Sequence, residues 1–248
     1  MEAIRLVGVD GCKAGWIAVS NPPFSPDCRQ RPLMPEVAIY SEFGTLLDSF
    51  PAGSVIAVDM PIGLPDKTSR GGRGPEQAIR PMLGTRQSSV FSIPSRAAVY
   101  TSDYREACRI ALETSDPPRK VSRQAFHLFP KIREIDKVAA IRSGAGIFEV
   151  HPELAFWRLN GNRPVPSPKK IKGRINPAGM EERRKLLATS GLHAEFLMSP
   201  PPKGSAADDF LDACACLMIA ARILHGLAKP FPSQYLKDVK GLRIAIWA

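Results

Sequence analysis

Two apolar segments of this 248-residue chain lead into an aspartate, and a third carries a glutamate. Asp10 follows IRLVGV, Asp59 ends SVIAVD, and Glu149 lies within IFEV. A charge beside apolar strands is costly to leave unpaired, so each carboxylate needs a partner. A turn-forming Asp before Gly11 explains Asp10 equally well by itself, because Asp-Gly is typical of hairpins. The repetition at Asp59 favours a shared site at which carboxylates do chemistry.

A further group of acids opens the apolar segment DDFLDACACLMIAAR, for which the pattern predicts a helix over 208–227. Asp209 and Asp208 precede Asp212 by three and four positions, so the acids share one face of that helix. Asp208 and Asp209 suit a helix N-terminus, and Asp208 is expected to be the cap. Asp212 lies further along an apolar helix, so it needs a partner, and a divalent cation is the obvious one.

Carboxylates that converge without cysteine point to a hard metal ion. Mg²⁺ and Mn²⁺ prefer oxygen ligands and keep some of their water. Two such ions, about 3.5–4 Å apart, would activate water and stabilise the leaving oxygen of a phosphodiester. The 5 cysteines include no CxxC pair, so neither a zinc site nor a disulfide framework is predicted.

The chain is basic, with 34 Lys and Arg against 24 Asp and Glu and a net charge of +10. A basic surface suggests a polyanionic partner, with nucleic acid first. The RGGRG segment at 70–74 fits a flexible, disordered loop and a phosphate contact equally well. No apolar run matches a membrane span and no signal peptide is recognisable, so a soluble cytoplasmic protein with no membrane partner is expected.

The elements that must position these acids follow from the hydrophobic pattern. The first sixty residues read as three strands, a helix and a fourth strand, which predicts a meander joined to a crossover and hence an α/β sheet. The predicted strands cover 5–10, 16–19, 36–40 and 54–59, with a Pro-rich loop over 21–35 and a helix over 43–50.

The whole chain, 1–248, is predicted to be a single domain with a mostly helical, basic insertion at about 66–146. Pro130 is expected to break or kink an insertion helix that begins after Ser122 and runs to Ile141, with Gly144 after it.

A strand over 147–150 puts Glu149 and His151 on one face, with Glu153 following if the strand continues through Pro152. The remaining predicted elements are a helix over 181–189 and a last edge strand over 243–247.

The arrangement of the acids resembles the ribonuclease H-like fold, and the first-strand DxG and helical DxxD are most like RuvC-type Holliday-junction resolvases. More closely, the chain resembles the prokaryotic family called domain of unknown function four-two-nine, whose members are predicted ribonuclease H-like nucleases. The stretches that carry this resemblance are GVDGCKAGW, AVDMPIGLP, SSVFSIPSR, SRQAFHLFPKIREID, EVHPELAFWRLNG, KKIKGR and DDFLDACACLMIAAR.

The resemblance implies a mixed sheet, with a three-strand antiparallel meander plus parallel strands, flanked by helices. It also implies metal-ligand and catalytic roles for Asp10, Asp59, Asp209 and Asp212, with Glu149 close to the metals. Resolvases carry Glu where this chain has Asp59, which leaves one or two metal ions open.

His151 is a candidate proton shuttle in the predicted catalytic set, although a lone strand histidine is more typically a hydrogen-bonded structural residue. Glu153 is interpreted in the same way.

Basic residues in or near the matching stretches are predicted to form a groove for nucleic-acid phosphates. Each of them alone is typical of a solvated surface charge. The predicted set is Lys13, Arg86, Arg96, Arg123, Lys131, Arg133, Lys170, Lys172 and Arg174.

The function predicted from these features is a metal-dependent nuclease that hydrolyses phosphodiester bonds of nucleic acid through a carboxylate-bound Mg²⁺ or Mn²⁺. A nucleotide-binding phosphotransferase or ATPase of the actin-like type is an alternative, although such proteins need two domains of this kind. A non-catalytic nucleic-acid-binding protein is another, although a retained carboxylate cluster repels phosphate.

Overall fold

The computed structural model describes residues 4–21, 33–141 and 146–248. The strands are β1 Leu6–Cys12, β2 Gly15–Ser20, β3 Glu36–Tyr40, β4 Val55–Val58, β5 Thr68–Ser69, β6 Ser115–Asp116, β7 Gly146–Glu149, β8 Lys170–Ile171, β9 Arg174–Ile175, β10 Pro230–Lys237 and β11 Arg243–Trp247. The α-helices are α1 Phe43–Asp48, α2 Gly74–Ile79, α3 Arg96–Val99, α4 Tyr104–Glu113, α5 Arg123–Ile141, α6 Pro152–Leu159, α7 Pro177–Thr189, α8 Ala194–Met198 and α9 Ala207–Leu224. A 3₁₀ segment, Arg80–Ser89, follows α2.

Seven strands form one mixed sheet in the order β10-β11-β7-β4-β1-β2-β3. β1, β2 and β3 are antiparallel neighbours, whereas β4, β7 and β11 continue the sheet parallel to β1. β10 returns antiparallel to β11 at the far edge. The α/β class and the antiparallel meander beside parallel strands, as predicted, are therefore confirmed.

The two faces of the sheet bury separate apolar cores, which explains why β1 is apolar on both sides. Val7 and Val9 pack on the face covered by α1 and α5, where Trp16 meets Phe43 at 5.0 Å between ring centroids. Leu6 lies on the face covered by α9.

Gly8 allows α9 to approach β1 closely. A Cβ atom added at Gly8 would lie 2.1 Å from the carbonyl oxygen of Ala213 and from the amide nitrogen of Leu217. Only glycine lacks a Cβ atom, so a glycine at this position lets the helix pack directly against the strand backbone. The same contact brings Asp212, next to Ala213, over the sheet.

Several sequence-based expectations differ from the structure at element boundaries. β1 continues to Cys12, so Asp10 lies within the strand and not at its end, because pairing with β2 extends to the turn. β7 ends at Glu149, and Pro152 begins α6, because proline is favoured in the first turn of a helix. His151 therefore caps α6, and Glu153 lies in its first turn, not on a strand.

Pro130 does not end its helix: α5 runs continuously through it. Pro130 is exposed, and buried residues such as Phe129 and Ile132 on both sides of it hold the two halves against one core. Gly144 and most of the predicted loop over 21–35 lie outside the described residues.

The predicted last strand forms as β11, but it is not an edge strand. β10, which the sequence analysis did not predict, pairs with its outer side. β10 contains Pro230 and Pro232, which suit an edge strand because proline lacks a backbone donor. No helix in the described part of the chain is both long and apolar enough to cross a membrane.

Candidate metal centre

Three carboxylates from three different elements meet at one end of the central strands. Asp10 comes from β1, Asp59 follows β4, and Asp212 lies in the second turn of α9. One oxygen of each lies within 4.8 Å of the others. Asp10 and Asp212 are 7% and 5% exposed, and Asp59 is partly buried. We call these residues the acid cluster.

Parallel pairing places two of these acids side by side. Val9 of β1 is in register with Val58 of β4, and the Asp59 amide donates to the Val9 carbonyl over 2.9 Å. Asp10 and Asp59 each follow one of these valines, so both point to the face covered by α9. The close packing of α9 on Gly8 then places Asp212 over these two acids.

Hydrogen bonding leaves part of the acid cluster unsatisfied. The Gly11 amide donates to Asp10 Oδ1 over 2.6 Å. Lys169 forms an ion pair with Asp212 Oδ2. Asp212 Oδ1 is buried and has no hydrogen-bond partner in the described residues. A buried carboxylate oxygen without a donor is costly, and it offers a lone pair to a cation.

The electrostatics show how strongly these acids repel one another. Burial, together with the neighbouring aspartates, raises the pKa of Asp10 well above its usual range. Burial and Asp212 raise the pKa of Asp59 to about 8, although Lys169 opposes the shift. Burial raises the pKa of Asp212 to about 6, again against Lys169. Without a further cation, the cluster therefore holds protons at neutral pH.

Asp209, predicted as a ligand, lies near the acid cluster but is not one of the three acids that converge. Its Oδ2 accepts from the Ala206 amide over 2.9 Å, so Asp209 caps α9. Asp208, expected to be the cap, instead pairs with Lys170 over 2.5 Å. Both acids lie at the N-terminus of α9. Their sequence spacing alone did not show which of them accepts from a backbone amide and which pairs with a lysine.

Glu149 belongs to a separate group of buried charges. Arg73 donates to Glu149 Oε1 and to Glu76 Oε1, each over 2.6 Å, and the Ile62 amide donates to Glu149 Oε2 over 2.7 Å. We call Arg73, Glu76 and Glu149 the Arg73 cluster. Glu149 is in register with Val58, so it points to the sheet face opposite to Asp59. Arg73, from the RGGRG segment, is 2% exposed and therefore unavailable to a phosphate.

A cavity of about 220 Å³ opens onto the acid cluster and is lined by Asp10, Asp59, His127, Lys131 and His151. Burial lowers the pKa of His151 to about 4, so its ring is neutral at neutral pH. Its Nε2 lies 3.4 Å from the Ser89 carbonyl oxygen, and Nδ1 has no partner in the described residues. Glu153 pairs with the buried Arg183 over 2.7 Å and takes a structural position.

Some of the predicted phosphate-binding side chains already interact with other groups of the fold, and some are exposed to solvent. Arg96 pairs with Asp136 and Asp238 over 2.7 Å and 2.5 Å. Arg133 donates to the Thr101 carbonyl over 2.7 Å, and Lys131 lies 4.4 Å from the Trp16 ring centre. Lys170 pairs with Asp208, and Arg86 is partly buried. The exposed members of the set are Lys13, Arg123, Lys170, Lys172 and Arg174.

Sequence reasoning missed the cations that contact these acids. Lys169 entered the sequence analysis only within the KKIKGR stretch, and Arg73 only within the RGGRG segment. The sequence offers no signal that links Lys169 to Asp212, since the pair is 43 positions apart. For Arg73, the three-residue spacing to Glu76 was a usable signal of an i, i+3 ion pair.

Comparison with known proteins gives one match. No curated protein and no solved structure matches the chain. The family model described as Protein of unknown function (DUF429) matches residues 8–235, which include every residue of the acid cluster and of the Arg73 cluster. The chain therefore belongs to this DUF429 family.

Proposed function

We propose that the acid cluster binds Mg²⁺ or Mn²⁺ and that the protein is a nuclease that hydrolyses phosphodiester bonds of nucleic acid. The observation that carries this proposal is the convergence of Asp10, Asp59 and Asp212 within 4.8 Å, with a buried and unpartnered oxygen on Asp212. Three carboxylates this close repel one another, and a bound cation compensates them at neutral pH in place of the protons that they hold in the metal-free protein.

The donor set fits a hard cation. All three side chains offer carboxylate oxygens, which Mg²⁺ and Mn²⁺ prefer, and none offers sulfur or imidazole nitrogen. When bound, such an ion supplies Lewis-acid chemistry: it polarises a phosphoryl oxygen and lowers the pKa of water. The net charge of +10 supports a polyanionic substrate.

The chain's own residues have separate tasks in this proposal. Asp10, Asp59 and Asp212 hold the ion, and Lys169 pairs with the other oxygen of Asp212. His151 lines the cavity that opens onto the cluster, but its pKa of about 4 makes the neutral ring a weak base at neutral pH, so a hydrogen-bonding role fits it better than proton transfer. The Arg73 cluster keeps Glu149 fully hydrogen-bonded and outside the ligand set.

The ribonuclease H-like relationship is part of the same proposal. An antiparallel meander continued by parallel strands, with acids on the first strand, after the fourth and on a late helix, supports it. Fold likeness by itself does not give the reaction, so the reaction has to be tested at the site.

The test combines metal binding with cleavage. Calorimetric titration with Mn²⁺ and Mg²⁺ is expected to give saturable binding by the wild type that is lost in Asp212→Asn. Asp103→Asn, at the exposed N-cap of α4, is the matched control because asparagine also caps helices. Labelled single-stranded, duplex, branched and RNA–DNA hybrid oligonucleotides report on hydrolysis.

A wild type that binds neither metal, and that cleaves none of these substrates with either metal present, contradicts the proposal. Metal binding without cleavage would support the metal site but contradict the nuclease activity. Metal-independent binding of nucleic acid that persists in Asp212→Asn, again without cleavage, would favour a non-catalytic binding protein.

A further inference from the structure

A second cavity, of about 510 Å³, lies beside the one that opens onto the acid cluster, and its charged lining is positive. Arg70, Arg80, Arg119 and Lys120 line it together with polar residues such as Ser88 and Gln87, and no carboxylate of the described residues does. We call it the basic cavity. Four cations converge there from segments that lie far apart in the sequence.

The cations of the basic cavity are not used by the fold as ion-pair partners. Arg70, Arg119 and Lys120 are exposed, and within the described residues no ion pair joins any of the four to a carboxylate. This separates them from Arg96 and Arg73, whose charges are already paired. Surface cations without partners keep their full electrostatic attraction for an anionic ligand.

Arg80 provides the rigid part of the cavity. Its Nη2 donates to the Gly71 carbonyl over 2.9 Å, to the Val90 carbonyl over 3.2 Å and to Ser92 Oγ over 3.3 Å. These acceptors are neutral, so they orient the guanidinium without cancelling its charge. An oriented guanidinium matches the planar, bidentate geometry by which arginine binds phosphate.

The basic cavity and the cavity at the acid cluster are neighbours. Val90 and Phe91 line both of them. Phe91 is 36% exposed, so an aromatic ring stands at the boundary between the carboxylates and the cations. In proteins that hold single strands, an aromatic platform beside a positive groove stacks bases while the groove follows the backbone.

We propose that the basic cavity binds a backbone phosphate of the nucleic-acid strand whose scissile bond lies at the acid cluster, with Phe91 stacking on a base between them. The inference rests on the proposed nuclease function and adds a substrate class to it: an oligonucleotide strand, not a mononucleotide. Such a ligand carries one phosphate at each cavity and a base between them, as an oligonucleotide strand does.

The test measures binding of a fluorescent single-stranded oligonucleotide without divalent metal, across a series of salt concentrations. Arg119→Gln/Lys120→Gln removes two exposed cations of the cavity. The matched control, Arg105→Gln/Lys185→Gln, removes one exposed arginine and one exposed lysine outside the cavity lining. Melting temperatures check that both variants fold.

The cavity variant is expected to bind about tenfold more weakly, with the slope of log K against log salt smaller by about 1. The control is expected to remain within about twofold of wild type. Phe91→Ala is expected to weaken binding with the salt slope unchanged, because stacking releases no counterions.

Equal binding by the wild type and the cavity variant, or no binding by the wild type, overturns the inference. Competition by inorganic phosphate or a mononucleotide as effective as by unlabelled oligonucleotide, at equal phosphate concentration, also overturns it. Cleavage with Mg²⁺ or Mn²⁺ is scored separately. Cleavage by the wild type, with binding unaffected in the cavity variant, rejects the role of the basic cavity but not the nuclease function. The expected binding losses without any cleavage reject the nuclease function but not the role of the basic cavity.

Discussion

Two groups of buried carboxylates lie at the same end of the central sheet, and they differ in how their charges are satisfied. In the Arg73 cluster, one guanidinium donates to both glutamates and a backbone amide donates to Glu149 as well. In the acid cluster, Lys169 forms an ion pair with Asp212 alone among the three carboxylates, and the other oxygen of Asp212 has no partner in the described residues.

The difference distinguishes a structural charge from an open binding position. Burial raises the pKa of acids in both groups, including Glu76 to about 7, so a raised pKa alone does not identify the functional site. The convergence of three carboxylates, together with an oxygen of Asp212 that has no partner in the described residues, does. Breaking the first group should therefore destabilise the fold, whereas breaking the second should remove ligand binding and stabilise the metal-free protein.

The largest expected effect is at Arg73. Arg73→Met leaves Glu76 and Glu149 buried without their cation, so the free energy of unfolding should fall by about 3–5 kcal/mol. Urea unfolding followed by circular dichroism measures it. Arg109→Met is the control, because its pairs with Glu106 and Glu113 are exposed and should hardly contribute. Equal urea midpoints for Arg73→Met and Arg109→Met would contradict the distinction between the two clusters.

A smaller effect of opposite sign is expected at Asp59. The unfolded carboxyl titrates near 3.8 and the folded one near 8, so the folded state holds the extra proton between these values. The wild type, free of metal, should therefore lose stability as the pH rises from about 4 to about 8, a loss that Asp59→Asn avoids. At pH 8 the variant should be more stable by about 1–2 kcal/mol, or about 2–8 °C.

Thermal unfolding in a chelator, from pH 4.5 to 8.5, measures this difference. Asp103→Asn should run parallel to wild type over the same range. A stability difference between Asp59→Asn and wild type that stays constant with pH would show that Asp59 is not held protonated in the fold.

The smallest effect concerns the two neighbouring lysines. Lys169 is largely buried against Asp212, whereas Lys170 is 45% exposed beside Asp208. Lys169→Met should tighten Mn²⁺ binding by about tenfold at pH 8.5, because the site loses the one positive charge that contacts it in the described part of the chain. Lys170→Met should change the affinity by less than about threefold because its charge is screened by solvent. Calorimetry at low ionic strength compares them, and weaker Mn²⁺ binding by Lys169→Met would mean that the lysine helps to build the site.

Much of the fold could be predicted from local patterns. The strand ending before Asp59 and the meander from β1 to β3 follow from apolar alternation and turn residues, which act within a few positions. The last strand was placed correctly but was predicted to be an edge strand. Its outer neighbour β10 was not predicted, because β10 contains prolines and few apolar residues. The end of β7 was missed because Pro152 suits the first turn of a helix as well as an irregular strand.

The candidate site was predictable only in part. Asp10, Asp59 and Asp212 could be selected because each is a charge in an apolar element. Glu149 met the same criterion and yet lies in the other group. Its register with Val58 turns its side chain to the opposite face of the sheet, and a shift of one residue would reverse this.

The sequence by itself determined six of the seven strands of the main sheet, the apolar helix α9 and the identity of the acids, because these depend on side-chain type and short spacing. Only the tertiary structure decided which acids keep an open oxygen. That depends on partners such as Arg73, which is 76 positions from Glu149, and Lys169, which is 43 positions from Asp212. Charge compensation acts through space, so residues remote in sequence decide which carboxylate is structural and which is free to bind.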